Sequence, residues 1–148
     1  MGRFYTVVMK ANSVSIAKDL MTVSAPATSV VVLHQAVLSQ DASETSEQLP
    51  MQIHRVGNDG QGTVVTARKT LAGDAAFGGT SNVNLTTDTT EGDILWRESQ
   101  NILNGWNYFP TPEMRFTIPP DNEIAIRLDT APTAALTLTL SAVIEEIG

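Results

Sequence analysis

Apolar and polar positions alternate with a period of two along most of this chain, most strictly across residues 123–146. Ile124, Ile126 and Leu128 interleave with Ala125, Arg127 and Asp129, and further on Leu136, Leu138, Leu140, Ala142 and Ile144 interleave with Thr137, Thr139, Ser141 and Val143. Successive side chains of an extended strand point to opposite faces. Both stretches therefore predict strands with one apolar face and one that is, in the second stretch, largely hydroxylated. Residues 129–135, which carry Pro132, read as a reversal that joins the two into a hairpin at the middle of a sheet.

The same period predicts strands at residues 3–9, 19–24 and 29–40, although Leu20 and Val23 leave the register of the second open. Residues 29–40 hold Val30, Val31, Val32, Leu33, Val37 and Leu38, β-branched for the most part and with no helix cap ahead of them. Their first half is apolar on both faces, as in a central strand with core on one side and another layer or subunit on the other. Residues 49–56 predict a strand with Met51 and Ile53 facing in. The run Gly57-Asn58-Asp59-Gly60-Gln61-Gly62 reads as a hairpin turn that makes residues 63–71 its partner. Residues 72–92, rich in Gly, Thr, Asn and Asp, read as a long loop in which Phe77 either anchors a neighbouring chain or tucks into its own domain.

Residues 93–103 predict a strand whose end, 97–103, also fits a short helix. Residues 105–113 form a proline-fixed segment holding Trp106, Tyr108 and Phe109. Met114, Phe116 and Ile118 alternate into a turn at residues 119–122. Eight to ten short strands with turn signals about every ten residues, and no amphipathic helix, predict an all-β antiparallel sandwich or barrel.

A length of 148 residues predicts a single domain spanning 1–148. There is no Cys, so disulfides and thiolate metal sites are excluded. A net charge of −7 works against attachment to nucleic acid or to an anionic membrane surface, because both reward clustered Lys and Arg. No apolar run approaches the roughly 20 residues of a spanning helix, and the start has no secretory h-region, so production in the cytosol of the host is expected. Met1-Gly2 with Thr6 fits the loose myristoylation pattern without a basic second anchor, and is read as part of a plain first strand. Asn84-Leu85-Thr86 is a glycosylation sequon by letters and is read as loop.

Candidate chemistry is sparse. His34 and His54 lie in different predicted strands and outside any ligand-spacing motif, so they read as ordinary strand histidines. Asp41, Glu44 and Glu47 lack the calcium-loop spacing and read as a solvated loop. There is no G-x-S-x-G elbow, and the Gly57 to Gly62 run has no G-K-[ST] ending. Glu145 and Glu146 are consecutive, so a strand sends them to opposite faces. Trp96, Trp106 and Tyr108 would suit a sugar-stacking platform, against which stands the reading in which Trp106 and Phe109 plug the end of the sandwich. No catalytic constellation, metal site or cofactor is predicted.

Four stretches carry a resemblance: Arg3-Phe4-Tyr5-Thr6-Val7, the run from Val31 to Gln40, the run from Gly105 to Glu113, and the run from Leu138 to Glu146. Together they resemble small proteins encoded among tailed-phage and prophage structural genes, the head decoration or cement proteins. The resemblance implies a jelly-roll-like sandwich, a homotrimer, and a position on the outside of the capsid, bound to the major capsid protein where capsomers meet. Within it, Val30, Val31 and Val32 are expected in core and trimer packing. Arg3, Phe4, Tyr5, Phe77, Trp106, Tyr108 and Phe109 are expected in contacts with the capsid or between protomers. The rival expectation is a carbohydrate- or receptor-binding β-sandwich domain of a phage fibre.

Overall fold

The period-two stretches form strands, and the strands pair in a nested order. In chain order they are β1 (Arg3–Val14), β2 (Lys18–Ser24), β3 (Val30–Gln40), β4 (Gln48–Asn58), β5 (Gln61–Val64), β6 (Arg68–Lys69), β7 (Thr80–Thr87), β8 (Thr90–Asn101), β9 (Trp106–Tyr108), β10 (Phe116–Ile118), β11 (Glu123–Leu128) and β12 (Leu136–Ile147). The computed structural model describes residues 2–41, 46–58 and 60–148. β1 pairs with β12, β2 with β11, β3 with β10 and β4 with β8, all antiparallel. β12 also pairs with β3, and β11 with β4.

The result is two sheets, β10-β3-β12-β1-β6 with β9 also on β3, and β5-β7-β2-β11-β4-β8. This winding of an antiparallel ribbon into two facing sheets is jelly-roll-like. The core lies between them, with Tyr5, Val7, Met9, Leu138, Leu140 and Ile144 from the first sheet against Met21, Met51, Ile53, Ile124 and Leu128 from the second, every one closed to solvent or nearly so.

Four expectations change. β11 and β12 are not a hairpin: each is central in a different sheet, and residues 129–135 carry the chain across the sandwich. Strict alternation fixes which side chains face the core but not which strand supplies the ladder. β4 does not pair with the stretch after the glycine run either; its neighbours are β11 and β8, while β5 pairs with β7 and β6 joins β1. The glycines serve close approach here: a Cβ on Gly60 would lie 2.6 Å from Leu85 Cδ2 and 2.7 Å from the Thr87 carbonyl oxygen.

Residues 80–87, expected as loop, are strand β7. Ser81, Val83 and Leu85 are all buried, Val83 in the core between the sheets and Leu85 against Gly60 and Gly62, and a serine at a buried position hid the alternation; its hydroxyl donates to the Val65 carbonyl at 2.8 Å. Finally, the described residues form twelve strands rather than eight to ten, because β5, β6 and β9 are short additions. β9 follows Gly105, whose φ of 75° is open to glycine and whose Cβ would lie 2.5 Å from the Leu38 carbonyl oxygen. That approach lays Trp106 and Tyr108 along β3, opposite Leu38 and Ala36.

Candidate interaction surfaces

The residues expected to touch partners divide sharply by burial. Tyr5, Val31 and Trp106 are fully buried and Tyr108 nearly so. Their side chains are core, which corrects their assignment as contact residues. For Val31, the trimer-packing part of the expectation falls and the core part stands. Tyr5 and Trp106 occupy inward positions between the sheets, and Tyr108 stacks on Phe116 with ring centroids 5.4 Å apart while its hydroxyl donates to the Met114 carbonyl at 2.9 Å. Burial pushes the Tyr108 hydroxyl up to about 12, only partly opposed by a backbone hydrogen bond at Phe116. Phe77 tucks into its own domain, 5.2 Å from the Tyr5 ring. Phe109 is exposed, Phe4 borders on exposed, and Arg3, Val30 and Val32 are half-buried.

Those three, with Phe4, belong to the β3-β12-β1 part of the first sheet or to its end. The core takes Val31, Leu33, Ala36 and Leu38 from β3, so the phase of burial shifts by one at His34–Gln35, where the ladder to β12 carries a bulge. Val30, Val32 and Val37 consequently face outward. Register sets Val32 beside Glu145 and Glu145 beside Phe4, Val30 beside Ile147, and Val37 beside Ser141 and then Val8. The outward face of these strands is thus mostly valine, threonine and serine with Phe4 and Ile147, joined by Gln35 and Lys10. Its one acid, Glu145, is held 2.8 Å from His34 Nε2, and the Phe4 ring stands edge-on to His34 at 5.0 Å. Glu146, on the other side of β12, is buried and pairs with Arg3 at 3.6 Å. The two glutamates diverge as the strand period requires.

The outward face of the second sheet is closed by the chain itself. β4 runs on into β5 and β8 back into β7, but β4 and β8 sit at one edge of the sheet and β5 and β7 at the other. The connection at residues 87–90 lies against outward-facing side chains between those edges, with Gly60 packed beside it. Beneath it is a polar cluster that the sequence pattern did not reveal. Asp19 on β2 is fully buried and accepts from the Thr89 amide and the Thr89 hydroxyl, each at 2.7 Å. His54 on β4 lies 3.3 Å from the same carboxylate through Nε2, and Arg127 on β11 reaches it at 3.3 Å. Arg127 also donates to Asp88 at 2.8 Å, and Asp88 accepts from the Asp19 amide at 2.9 Å.

Both ring nitrogens of His54 face acceptors, Asp19 and the Arg55 carbonyl, so the surroundings favour the doubly protonated imidazolium. Burial by itself would lower the His54 pKa, but the hydrogen bonds to Asp19 and the Arg55 carbonyl, with the charges of Asp19 and Glu91, raise it above its ordinary value. Burial likewise works to raise Asp19, yet the bonds from His54 and Thr89 hold it below the ordinary carboxylate range. These groups satisfy one another, with no nucleophile on the histidine. The arrangement fastens the crossing connection to the sheet.

His34 and His54 lie in different sheets, each beside its own carboxylate. Among the described residues no group of three or more His, Asp or Glu is placed to hold a metal ion. Of the acidic loop, Asp41 accepts from Ser39 Oγ at 3.3 Å and Glu47 from the Thr133 amide at 3.1 Å, while Glu44 lies outside the described residues. Trp96 is half-buried against Tyr108, at 5.6 Å between centroids, so the three aromatics do not form an open platform. Comparison with protein-family models, with curated proteins and with solved structures finds no match to this chain.

Proposed function

We propose that this chain is a structural virion protein: a capsid decoration or cement protein that binds the outside of a phage head as a homotrimer and reinforces the contacts between capsomers. The observation that carries the reading is the outward β3-β12-β1 face. Three long strands present Val30, Val32, Val37, Val143, Phe4, Val8 and Ile147 among hydroxyls, with the outward acid Glu145 2.8 Å from His34 Nε2. Apolar side chains gathered on one outward sheet face in this way suit an interaction site. Self-association of sister copies covers it at little cost in conformational entropy, because sheet residues are already fixed.

The four stretches that resemble decoration proteins support the same reading. Three of them lie in or on this sheet, in β1, β3 and β12, and the fourth contains β9, which pairs with β3. A trimer that grips adjoining capsomers opposes their separation through several contacts at once, and linked contacts gain strength from effective concentration rather than from any single strong bond. The partners in this reading are sister copies and the major capsid protein. Neither nucleic acid, membrane nor cofactor has a part, and no step is chemical. The net charge of −7 suits a protein standing outside the shell, away from the packaged genome. The rival glycan-binding reading loses support because Trp106 and Tyr108, two of its three aromatics, are core residues.

Adding purified protein to heads assembled without it tests the proposal. The expected result is co-sedimentation with the heads and a rise in their resistance to heat or chelator. Heads that neither retain the protein nor gain resistance would contradict it.

A further inference from the structure

One strand edge of the first sheet is open beside a groove whose charged lining is basic. β6 covers the outer edge of β1 only at Tyr5 and Thr6, with the ladder continued by the Thr70 amide donating to the Phe4 carbonyl at 3.0 Å. Phe4 therefore turns its backbone toward β6, and the period of two turns Thr6 and Val8 to the same edge and reaches Lys10 where the ladder to β12 bulges between Met9 and Asn12. Among the described residues no strand pairs with β1 on that side beyond Thr6.

At this open edge lies a groove of about 520 Å³, lined by Val8, Lys10 and Asn12 from β1. Thr66 and Arg68 line it as well, together with Val65 and Val83. The Val65 backbone is already satisfied by Ser81, its amide donating at 2.9 Å to the Ser81 carbonyl and its own carbonyl accepting from Ser81 Oγ at 2.8 Å. The unmade ladder thus belongs to β1. Lys10 and Arg68 are exposed and, among the described residues, form no ion pair, in a chain whose net charge is −7.

We propose that the edge of β1 from Val8 to Asn12 is a docking site for an extended, acidic segment of another polypeptide, added as a strand in line with β6. The backbone groups of Val8 and Lys10 supply the ladder, Val65 and Val83 receive alternate apolar side chains, and Lys10 and Arg68 meet the carboxylates. Lys10 has a second effect: a charged side chain on an edge repels neutral and basic strands and guards against indiscriminate pairing, so the same residue both admits and excludes. The inference concerns the open edge of β1, which shares Val8 with the proposed self-association face, and it does not depend on the virion reading.

The test uses the full chain and a blocked seven-residue peptide alternating glutamate and valine, with its glutamine counterpart and a version N-methylated at alternate residues as controls. Amide NMR should show the glutamate peptide perturbing Val8, Lys10 and Asn12, with at least tenfold tighter binding than the glutamine peptide, loss of binding on N-methylation, and weakening with salt. Joint replacement Lys10→Gln and Arg68→Gln should lower the affinity about tenfold while the amide spectrum of the free protein stays folded. The proposal is overturned by perturbations mapping elsewhere, by equal binding of the glutamine peptide, or by no perturbation at millimolar peptide. It is equally overturned if sister copies protect these amides in the free protein.

Discussion

Asp19 and His54 belong to strands that are not neighbours in the sheet, yet His54 Nε2 lies 3.3 Å from Asp19 Oδ1 with both side chains closed to solvent. β11 runs between their strands, and the pair bridges across it on the outward face under the residue 87–90 crossing.

The pair gives stability a defined dependence on pH. His54 has a folded pKa raised above 6.5, so its contribution is complete below that value and is lost as pH rises through the raised folded one. Asp19 has a folded pKa depressed below 3.8, so its contribution is present above 3.8 and is lost as pH falls through the depressed value. Urea unfolding across pH should show this contribution greatest between those two ordinary values. His54→Gln should flatten the alkaline decline and also lessen the acid one, because His54 helps hold Asp19 low; an unchanged alkaline decline would remove His54 from the account.

Thr89 fastens the crossing by donating twice to a buried carboxylate. Thr89→Val keeps the shape but removes the hydroxyl bond, and should cost about 1.5–3 kcal/mol, the range for hydrogen bonds to charged groups. Asp19→Ala leaves His54 and Arg127 without their shared partner and should cost about 3–5 kcal/mol. Denaturant midpoints of the two variants check the order: a Thr89→Val loss equal to that of Asp19→Ala would mean the ion pairs add nothing.

Val31 and Val32 are adjacent in sequence and opposite in role. Val31→Lys places a charge in the core and should destabilise the fold on the order of 4 kcal/mol. Val32→Lys places its charge on the outward face, next to Glu145, and should leave a folded protein that no longer self-associates. Light scattering with circular dichroism separates the two. An unaltered oligomer for Val32→Lys would remove this face from the interface.

Trp106 fills the core beside β3 with no exposed surface. Trp106→Ala should cost about 3–5 kcal/mol through the cavity it leaves. In the intact protein Tyr108 should resist ionisation to about pH 12, read as tyrosinate absorbance, and a titration complete near 10 would place its ring in solvent.

The period of two made most strands legible, because alternation such as Leu136 to Ile144 is a local consequence of one buried face. Partner choice was not legible. Nothing within residues 123–146 says that their two strands lie in different sheets, since that is settled by which distant strands complete each ladder. β7 escaped notice because Ser81 occupies a buried position and only Val83 and Leu85 mark the face. The Asp19 cluster escaped for a related reason. Asp88 and Thr89 read as loop polarity, and only the crossing of the sheet brings them over residues about seventy positions earlier in the chain. Burial of Trp106 and Tyr108 follows from β9 lying on β3, whereas proline spacing indicated only that the segment is rigid.

Under the proposed virion role, the protein composition of phage particles purified from the host that encodes this chain tests the central claim most directly. Quantitative mass spectrometry should find the chain in intact heads at a copy number that is a multiple of three and in fixed proportion to the major capsid protein. Particles from the same lysate that lack it, while the chain is present in the soluble fraction, would contradict the account.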